Sequence, residues 1–525
     1  MEITKMNSKN FFLIGVTLCF IFLSARSRAE NSIQISSSRQ LFIDDYLIDK
    51  LHRVERTFHS VTKHPQNPII TANQPWEGLD AYLRSEREKS PDSDLRSRVN
   101  EKHTQIEGYG GWVLVYGTVL FDKQDQLFKI WYQTVAGFKS GPENVVCYAT
   151  SSDGVHWQKP NLGLIDYNGL RANNIVIRSS TFENFDECFS VAIDTQETDF
   201  KKRYKAIFWS PKHDDYPHAV WSATSADGIQ WKKSDKPILR SVADATSFFF
   251  DHLQGRYVAV PRPLDDQISK AVSFSTDFKT WTAPQTVLRP LPEKEKAGDA
   301  REQIYNMYPF TYESMYLGIA QVYYWHPRWA LEGEWMYSRD CLKWIRPEPW
   351  QPHLPVGGPG EFDRANNSFS SGPPLRVGDQ LYFYYSGRSY RHREYHHYPF
   401  GKEEQDSGPW EAAIGMATLR VDGFASLDAP FGPDRYVLTQ PLVFQGKHLH
   451  INAKCNWGNI QVELLTDQGK PIPGFTANDC DLIRQDATDI RVSWQENPDL
   501  SMRRDQPTRL RFVMQNSQLF SFWIE

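Results

Sequence analysis

Short apolar runs alternate with polar turns along most of the chain, and the runs come in sets of three. The first set is Val115–Phe121, which ends at Asp122, followed by Phe128–Tyr132 and Val145–Thr150. Short runs rich in β-branched and aromatic residues and bounded by Gly, Asp or Pro predict strands. Further sets begin at Phe189, Ser247, Met307 and Ser368. The pattern therefore predicts an all-β protein built from five similar units.

A recurring turn follows the third run of the units. It reads Ser-Ser-Asp-Gly-Val-His-Trp at 151–157 and Ser-Ala-Asp-Gly-Ile-Gln-Trp at 225–231. Weaker copies are centred on Asp277, Asp340 and Asp422. In such a turn the Asp accepts backbone hydrogen bonds and the Gly supplies a positive φ, so we assign these aspartates to structure. The irregular spacing of the copies argues against a solenoid and favours a five-bladed β-propeller, whose loops vary in length.

The N-terminus reads as a signal peptide over residues 1–29. Lys5 and Lys9 precede the apolar run Phe11–Leu23, and small residues precede a cut after Ala29. This order is typical of export signals, with an uncleaved membrane anchor as the alternative. We therefore expect a secreted or periplasmic protein. No second apolar stretch follows, so we expect no membrane partner after signal cleavage.

The remaining chain divides into two expected domains. The propeller is predicted over residues 30–425, with Leu41–Ile43 as a strand that could close its ring. Residues 426–525 contain six or more short runs separated by turns. Antiparallel strands at this density predict a C-terminal β-sandwich.

Composition and charge narrow the set of partners. The chain has 525 residues with a net charge of −5. A nucleic-acid partner requires a basic face, so we expect none. Five cysteines remain after signal removal, and an odd number predicts no disulfide framework, although Cys455 and Cys480 could pair. We expect no cofactor, apart from a calcium ion or another hard cation that carboxylates in the axial channel could bind.

Several phrases resemble a family of secreted bacterial proteins related to glycoside hydrolases. They include Leu-Phe-Ile-Asp-Asp-Tyr-Leu-Ile at 41–48, Tyr-Ala-Thr-Ser-Ser-Asp-Gly at 148–154 and Gly-Glu-Phe-Asp at 360–363. That family is similar to the five-bladed propeller hydrolases of families 43 and 32, which carry a C-terminal β-sandwich. The resemblance implies cleavage of glycosidic bonds in a poly- or oligosaccharide. Glu187-Cys188 is similar to the acid-catalyst dipeptide of family 32, but the opening motifs of that family are absent from the sequence.

Acids that precede the first strand of each unit are the candidate catalytic groups. A propeller gathers the starts of its inner strands around one funnel, so these acids should converge despite their separation in sequence. The rule selects Glu107, Asp186 or Glu187, Asp244, Glu302 and Asp363. Glycosidic cleavage requires a proton donor and a second carboxylate. We expect Glu187 to be the general acid and Asp244 the base or nucleophile, with Glu107 or Asp363 orienting substrate or tuning a pKa. Each acid could instead cap a strand or a turn.

Aromatic, acidic and arginine side chains near these acids are candidates for substrate binding. Tyr109, Trp112, Tyr305 and Trp325 could stack on sugar faces or simply pack between sheets. Asp186, Arg262 and Arg388 could bind hydroxyls, and the arginines could bind the carboxylate of an acidic sugar or pair with an acid of the funnel. The leading hypothesis is a secreted glycoside hydrolase. A non-catalytic carbohydrate-binding propeller and a structural or protein-interaction propeller are the alternatives.

Overall fold

Strands dominate the part of the chain that the computed structural model describes. That part comprises residues 32–77, 111–138, 141–180, 182, 185–211, 215–292, 302–325, 329–390, 412–455 and 457–525. The prediction of an all-β protein is confirmed. One compact unit consists of Ser60–Leu419, and the other combines the residues up to His59 with Arg420–Glu525. Within the described ranges, no helix has the length and apolar character needed to cross a bilayer.

Five short strands open the described chain. They are β1 (Ile33–Gln34), β2 (Gln40–Leu41), β3 (Ile48–His52), β4 (Glu55–Phe58) and β5 (Thr62–Lys63). The first four belong to the smaller unit and β5 to the larger one. The boundary therefore falls between His59 and Ser60, where the sequence analysis had expected residues 30–425 to form one propeller.

Three consecutive sheets of the larger unit are antiparallel meanders. The first contains β6 (Leu114–Asp122), β7 (Leu127–Phe138), β8 (Gly141–Ser151) and β9 (Ile175–Arg178). The second contains β10 (Glu187–Ile193), β11 (Tyr204–Ser210), β12 (Ala219–Ser225), β13 (Lys232–Lys233) and β14 (Leu239–Arg240), with a short 3-10 helix at Phe200–Lys202. The third contains β15 (Val242–Asp251), β16 (Arg256–Pro263), β17 (Lys270–Ser275) and β18 (Gln285–Leu288). Apolar and aromatic side chains pack between neighbouring sheets: the first against the fifth, the first against the second, and the second against the third.

Two further meanders are joined edge to edge. The fourth contains β19 (Glu302–Tyr312), β20 (Met315–Tyr324) and β21 (Ala330–Ser338). The fifth contains β22 (Asn366–Phe369), β23 (Leu375–Val377), β24 (Gln380–Arg388) and β25 (Ala412–Arg420). β21 and β22 pair in parallel at Leu331 and Asn366. On the far side, β5 pairs with β25, so β5 supplies the N-terminal strand of the last sheet and the expected Leu41–Ile43 does not.

The sheets contact one another in a closed series, through their first strands except where β21 and β22 join the fourth sheet to the fifth. β6 contacts β10, β10 contacts β15 and β15 contacts β19, while β22 contacts β6 again. The N–H of Val191 donates to Thr118 Oγ1 at 2.9 Å, which links the second sheet to the first. The N–H of Val115 donates to Ser386 Oγ at 2.6 Å, which links the first sheet to the fifth. A five-bladed propeller requires such links between its last and its first sheet, and the propeller itself stays a prediction.

A repeated side-chain hydrogen bond joins neighbouring sheets at the opposite ends of the first strands. An aspartate ends each of β6, β10 and β15 or follows it directly, and a tyrosine on the second strand of the next sheet donates to it. The pairs are Tyr204 with Asp122, Tyr257 with Asp194 and Tyr316 with Asp251. Because all three carboxylates are buried, these bonds satisfy groups that would otherwise be costly to bury.

The recurring turns have the local role that the sequence predicts. Asp153 Oδ1 accepts the N–H groups of Val155 and His156, both at 2.8 Å, and Gly154 has a φ of 79°. Three equivalent turns are built around Asp227, Asp277 and Asp340. The prediction that Asp422 belongs to a fifth copy of this turn was wrong. Asp422 lies in the smaller unit, where it is buried and accepts from Arg39, Asn452 and Ser521.

The C-terminal strands form the smaller unit together with the N-terminal ones. They are β26 (Ala425–Ala429), β27 (Tyr436–Thr439), β28 (Leu442–Val443), β29 (Leu449–Lys454), β30 (Asn459–Thr466), β31 (Asp486–Arg491), β32 (Thr508–Gln515) and β33 (Ser517–Ile524), with a 3-10 helix at Ser501–Arg503. One sheet has the order β1-β28-β32-β27-β3 with β30 beside β32, and the other has β31-β29-β33-β26-β4 with β2 beside β33.

A shared apolar core lies between these two sheets, as in a β-sandwich. Phe42 is fully buried, and its ring contacts Phe512 on β32 and Phe522 on β33, at centroid distances of 6.2 and 5.6 Å. This packing explains why residues 41–43 join the sandwich and do not close the propeller ring. Cys455 and Cys480 are buried free thiols, so the structure does not contain the bond considered between them.

Candidate functional site

A β-bulge interrupts the first strand of four successive sheets. The register shifts occur near the starts of β6, β10, β15 and β19. The irregular positions contain or adjoin Tyr116, Glu187, Asp244 and Tyr305. Cys188 and Ala245, which follow the two acids, have φ values of 64° and 59°. Because a bulge bends its strand and re-aims the side chains around it, the four bulges give these groups directions that regular strands would not.

Asp244 is held by an ion pair with a buried arginine. Arg262 on β16 places Nη1 2.8 Å from Asp244 Oδ1, and its Nη2 donates to the carbonyl of Tyr305 at 2.7 Å. The guanidinium also lies 4.5 Å from the centroid of the Tyr305 ring. The Arg262 side chain is 5% exposed and that of Asp244 35% exposed, so one carboxylate edge stays accessible. This geometry fixes Asp244 beside Tyr305 by a charge-assisted bond and a cation–π contact.

The surroundings of Glu187 raise the pKa of its carboxyl group. Burial, followed by the negative charges of Asp244 and Asp186, raises the pKa of Glu187 to about 8, and the positive charges of Arg262 and Arg388 oppose the rise. At neutral pH the carboxyl group therefore carries its proton. Among the residues that the structure describes, none forms a hydrogen bond or an ion pair with this carboxyl group. Glu187 is thus a half-buried acid able to donate a proton to a ligand.

Arg388 is a second group in the cluster whose side chain has no hydrogen-bond or ion-pair partner among the residues that the structure describes. It lies at the end of β24, opposite Asn366, and its charge acts on Glu187 and Tyr305. The buried Nε of Arg388 has no hydrogen-bond partner, and no acid within the described ranges pairs with its guanidinium. The expected alternative of a funnel ion pair therefore applies to Arg262, and among the described acids none forms such a pair with Arg388. Because an unpaired buried donor is costly, the arrangement favours a ligand oxygen at this position.

Two phenols complete the cluster. Burial, together with the charge of Asp244, raises the pKa of Tyr305 to about 12. Burial also raises the pKa of Tyr116 well above its ordinary value, and Tyr305 and Glu187 contribute to that rise. Both side chains therefore remain neutral and can donate hydrogen bonds over the physiological range.

Asp186 and Trp112 occupy the edge of the same cluster. Asp186 precedes β10, is half-buried, and accepts a hydrogen bond from Asn144 Nδ2 at 3.0 Å. Trp112 is half-buried, packs against Tyr116, and donates from Nε1 to Tyr390 Oη at 2.8 Å. The sequence analysis thus selected six residues that the structure brings together: Asp186, Glu187, Asp244, Arg262, Tyr305 and Arg388, with Trp112 beside them.

Asp363 and Glu302 have structural partners and do not belong to this cluster. Asp363 is 1% exposed, forms an ion pair with Lys63 at 2.6 Å and accepts from the hydroxyl of Tyr385 at 2.9 Å. Glu302 is buried and forms a two-bond ion pair with Arg346. The rule that acids before first strands face the funnel was wrong for these two, because the half-buried Lys63 and the buried Arg346 bind them.

Three other candidates remain, of which the structure describes only Trp325. Trp325 packs on Tyr323 and Trp329, at centroid distances of 5.5 and 5.9 Å, so ring packing accounts for it. Glu107 and Tyr109 lie outside the described residues, and their assigned roles stay predictions.

Sequence reasoning missed several residues of the cluster. Tyr116 and Cys188 are buried at bulges, and Asn144 and Tyr390 support Asp186 and Trp112. Tyr116 could have been found by its position, because it precedes the strand core of the first sheet as Asp244 precedes that of the third. The described ranges contain no group of three or more His, Cys, Asp or Glu side chains that could hold a metal ion. The axial cation stays a prediction.

Comparisons with known proteins give similar folds but no family. No family model and no curated protein matches the sequence. A glycosyl hydrolase from Bacteroides ovatus aligns over 70% of this chain and 97% of its own, with 12% identity and a TM-score of 0.43. A β-1,2-mannobiose phosphorylase from Listeria innocua aligns over 69% and 98%, with 13% identity and a TM-score of 0.43. A family 32 β-fructofuranosidase from Bombyx mori aligns over 82% and 97%, with 11% identity and a TM-score of 0.39. Substrate and reaction are argued below from the site itself.

Proposed function

We propose that this chain is a glycoside hydrolase in which Glu187 protonates the leaving glycosidic oxygen. The observation that carries the proposal is a half-buried carboxyl group that has no hydrogen-bond partner among the described residues and lies close to further acids. A general acid must hold a proton near neutral pH and release it in the transition state, which a raised pKa permits. The substrate class is a poly- or oligosaccharide.

Asp244 is the proposed second carboxylate. It would either activate water or attack the anomeric carbon, as the two-carboxylate mechanism requires. Arg262 Nη1 lies 2.8 Å from one oxygen of Asp244, and the Asp244 side chain is 35% exposed, so part of the carboxylate stays accessible. As the proton leaves Glu187, the nearby positive charges of Arg262 and Arg388 would stabilise the new carboxylate.

Substrate binding is assigned to the groups around this pair. Arg388 would donate to a sugar hydroxyl, or to a carboxylate if the sugar is acidic, because its buried Nε has no acceptor. Tyr305 and Tyr116 would donate hydrogen bonds, and Trp112 would present part of its ring to a sugar face. Export by the predicted signal peptide would give the protein access to extracellular or periplasmic glycans.

Single amide substitutions test the roles of the two acids. Glu187→Gln and Asp244→Asn should each lower kcat by about a hundredfold or more on any glycan that the native protein cleaves. Reducing-end release and thermal unfolding should be measured together, with Glu361→Gln and Asp265→Asn as exposed acid controls. Native-like turnover in either site variant would remove the assignment. A screen for cleavage with arabino-, xylo-, manno- and fructo-oligosaccharides precedes this test.

A carbohydrate-binding propeller without catalysis is the second candidate. The engagement of Asp244 with Arg262 favours it, because a carboxylate held by a guanidinium is a weaker base or nucleophile. Binding of an oligosaccharide in the cluster without release of reducing ends would support this reading. In that case Arg388→Met should abolish binding, whereas Glu187→Gln should change it little.

A further inference from the structure

A groove of about 1030 Å³ lies on the smaller unit and is independent of the Glu187 cluster. Its lining comes from the ends of β4, β26 and β29, from the start of β33, and from the turn that contains Trp457. We propose that this groove binds a neutral oligosaccharide chain, so that the sandwich serves as a second glycan-binding site.

Trp457 is the most exposed of the large apolar side chains noted in the described ranges, at 88%. Its backbone position is nevertheless fixed. Asn516 Nδ2 donates to the carbonyl of Trp457 at 3.1 Å, and a Cβ at Gly458 would lie 1.9 Å from the carbonyl oxygen of Gln515. The turn therefore packs so closely on the β32–β33 hairpin that only glycine fits. The backbone of this turn is thus held in place, and the indole of Trp457 lines the groove with its ring open to a ligand.

A row of polar residues crosses the sheet beside this indole. Glu55 on β4 stands opposite Asp428 on β26, Asp428 opposite Gln518 on β33, and Gln518 opposite Lys454 on β29. Directly opposed residues share one face of a sheet, so these four side chains form one strip of donors and acceptors. Gln518 Nε2 also donates to Asp428 at 3.2 Å, which orients both groups.

The charges and hydrogen-bonding groups of the groove indicate which kind of ligand it binds. Arg53, Arg435 and Lys454 supply positive charges, and Glu55 and Asp428 supply negative ones. No ion pair between groove residues occurs in the described ranges. Mixed charge argues against a polyanion, which requires a basic face. Sugar hydroxyls both donate and accept hydrogen bonds, and the C–H face of a pyranose packs on a flat aromatic ring, so a neutral glycan fits both features.

Calorimetry of the full mature chain tests the proposal. The probes are soluble hexasaccharides of glucose, xylose, mannose and arabinose, titrated into the Glu187→Gln variant so that no probe is cleaved. Adding Trp457→Ala should weaken binding of at least one probe about tenfold, which corresponds to about 1.4 kcal/mol, because the sugar loses its aromatic contact. Lys454→Ala should weaken the same probe. Tyr46→Ala, which removes an exposed ring outside the groove, should leave binding unchanged.

Several outcomes would overturn the proposal. One is that the Trp457→Ala and Tyr46→Ala variants bind every probe with equal affinity, so that no binding depends on Trp457. Another is dimerisation in sedimentation that depends on Trp457, because a second copy of the chain would then be the occupant of the groove. Trp457→Ala in the native background should keep turnover of a short soluble substrate. Failure of the catalytic proposal alone would leave the loss of binding in Trp457→Ala intact, so the two results are separable.

Discussion

The pH dependence of turnover gives the sharpest test of Glu187 as the proton donor. The ordinary pKa of a glutamate is 4.5, and burial with the charges of Asp244 and Asp186 raises that of Glu187 to about 8. Since the acid must be protonated to act, kcat/KM should fall as pH rises through about 8. An unperturbed acid would instead cause the fall near its ordinary pKa.

The fall of kcat/KM near pH 8 forms the alkaline limb of its pH profile, and two substitutions should move this limb in opposite directions. Asp186→Asn removes a negative charge that favours the protonated form, so the limb should move down by about 1 pH unit. Arg388→Met removes a positive charge that favours the ionised form, so the limb should move up. The position of the limb is read separately from its height, so lost substrate contacts do not hide the shift. Asp265→Asn, an exposed acid, serves as the control.

The same carboxyl group should leave a signature in stability. A group whose folded pKa exceeds its unfolded value stabilises the fold fully below the unfolded pKa, and this contribution is lost as pH rises through the folded pKa. Wild-type unfolding free energy should therefore fall between about pH 4.5 and 8 relative to Glu187→Gln, by at most about 5 kcal/mol at about 1.4 kcal/mol per pH unit. Denaturant titrations at several pH values measure this. Parallel stability curves, or limbs that shift in the same direction in both charge variants, would refute the reasoning.

Two further substitutions probe the support of the site. Arg346→Met should lower the free energy of unfolding by about 3–5 kcal/mol in denaturant titrations, because Glu302 and Glu334 would lose their buried partner. As a control, Arg289→Ala removes the exposed ion pair with Asp266 and should lower it by less than about 1 kcal/mol. Equal losses in the two variants would contradict this prediction. Lys270→Met should lower kcat about tenfold while leaving the alkaline limb in place, because its amine donates to the carbonyl of Ala245 in the Asp244 bulge; unchanged kcat would deny that role.

Local sequence features predicted local structure well, and predicted long-range partners poorly. The apolar runs and the turn aspartates, such as Asp153, depend on neighbours in sequence, so their roles could be predicted from residues alone. Whether Phe42 packs in the sandwich or the propeller depends on which distant strand has the complementary face. Asp363 and Glu302 resemble Asp244 in their position before a strand. Only their ion pairs with the half-buried Lys63 and the buried Arg346 decide that they are structural.

The position of each bulge explains why an acid near the start of a first strand was informative in β10 and β15 and misleading in β19, whose bulge lies at Tyr305 and not at Glu302. In a regular strand side chains alternate between faces, so an acid at the start has no preferred direction toward a shared site. Where an extra residue breaks the alternation, as beside Glu187 and Asp244, the side chain can be aimed independently of the strand core. The far ends of the same strands are locked to the next sheet by tyrosine–aspartate bonds such as Tyr257 to Asp194. In the second and third sheets, a fixed strand end opposite an irregular one lets the strand hold an acidic side chain in a set direction while the loops vary, which is the arrangement that the proposed acid–base chemistry requires.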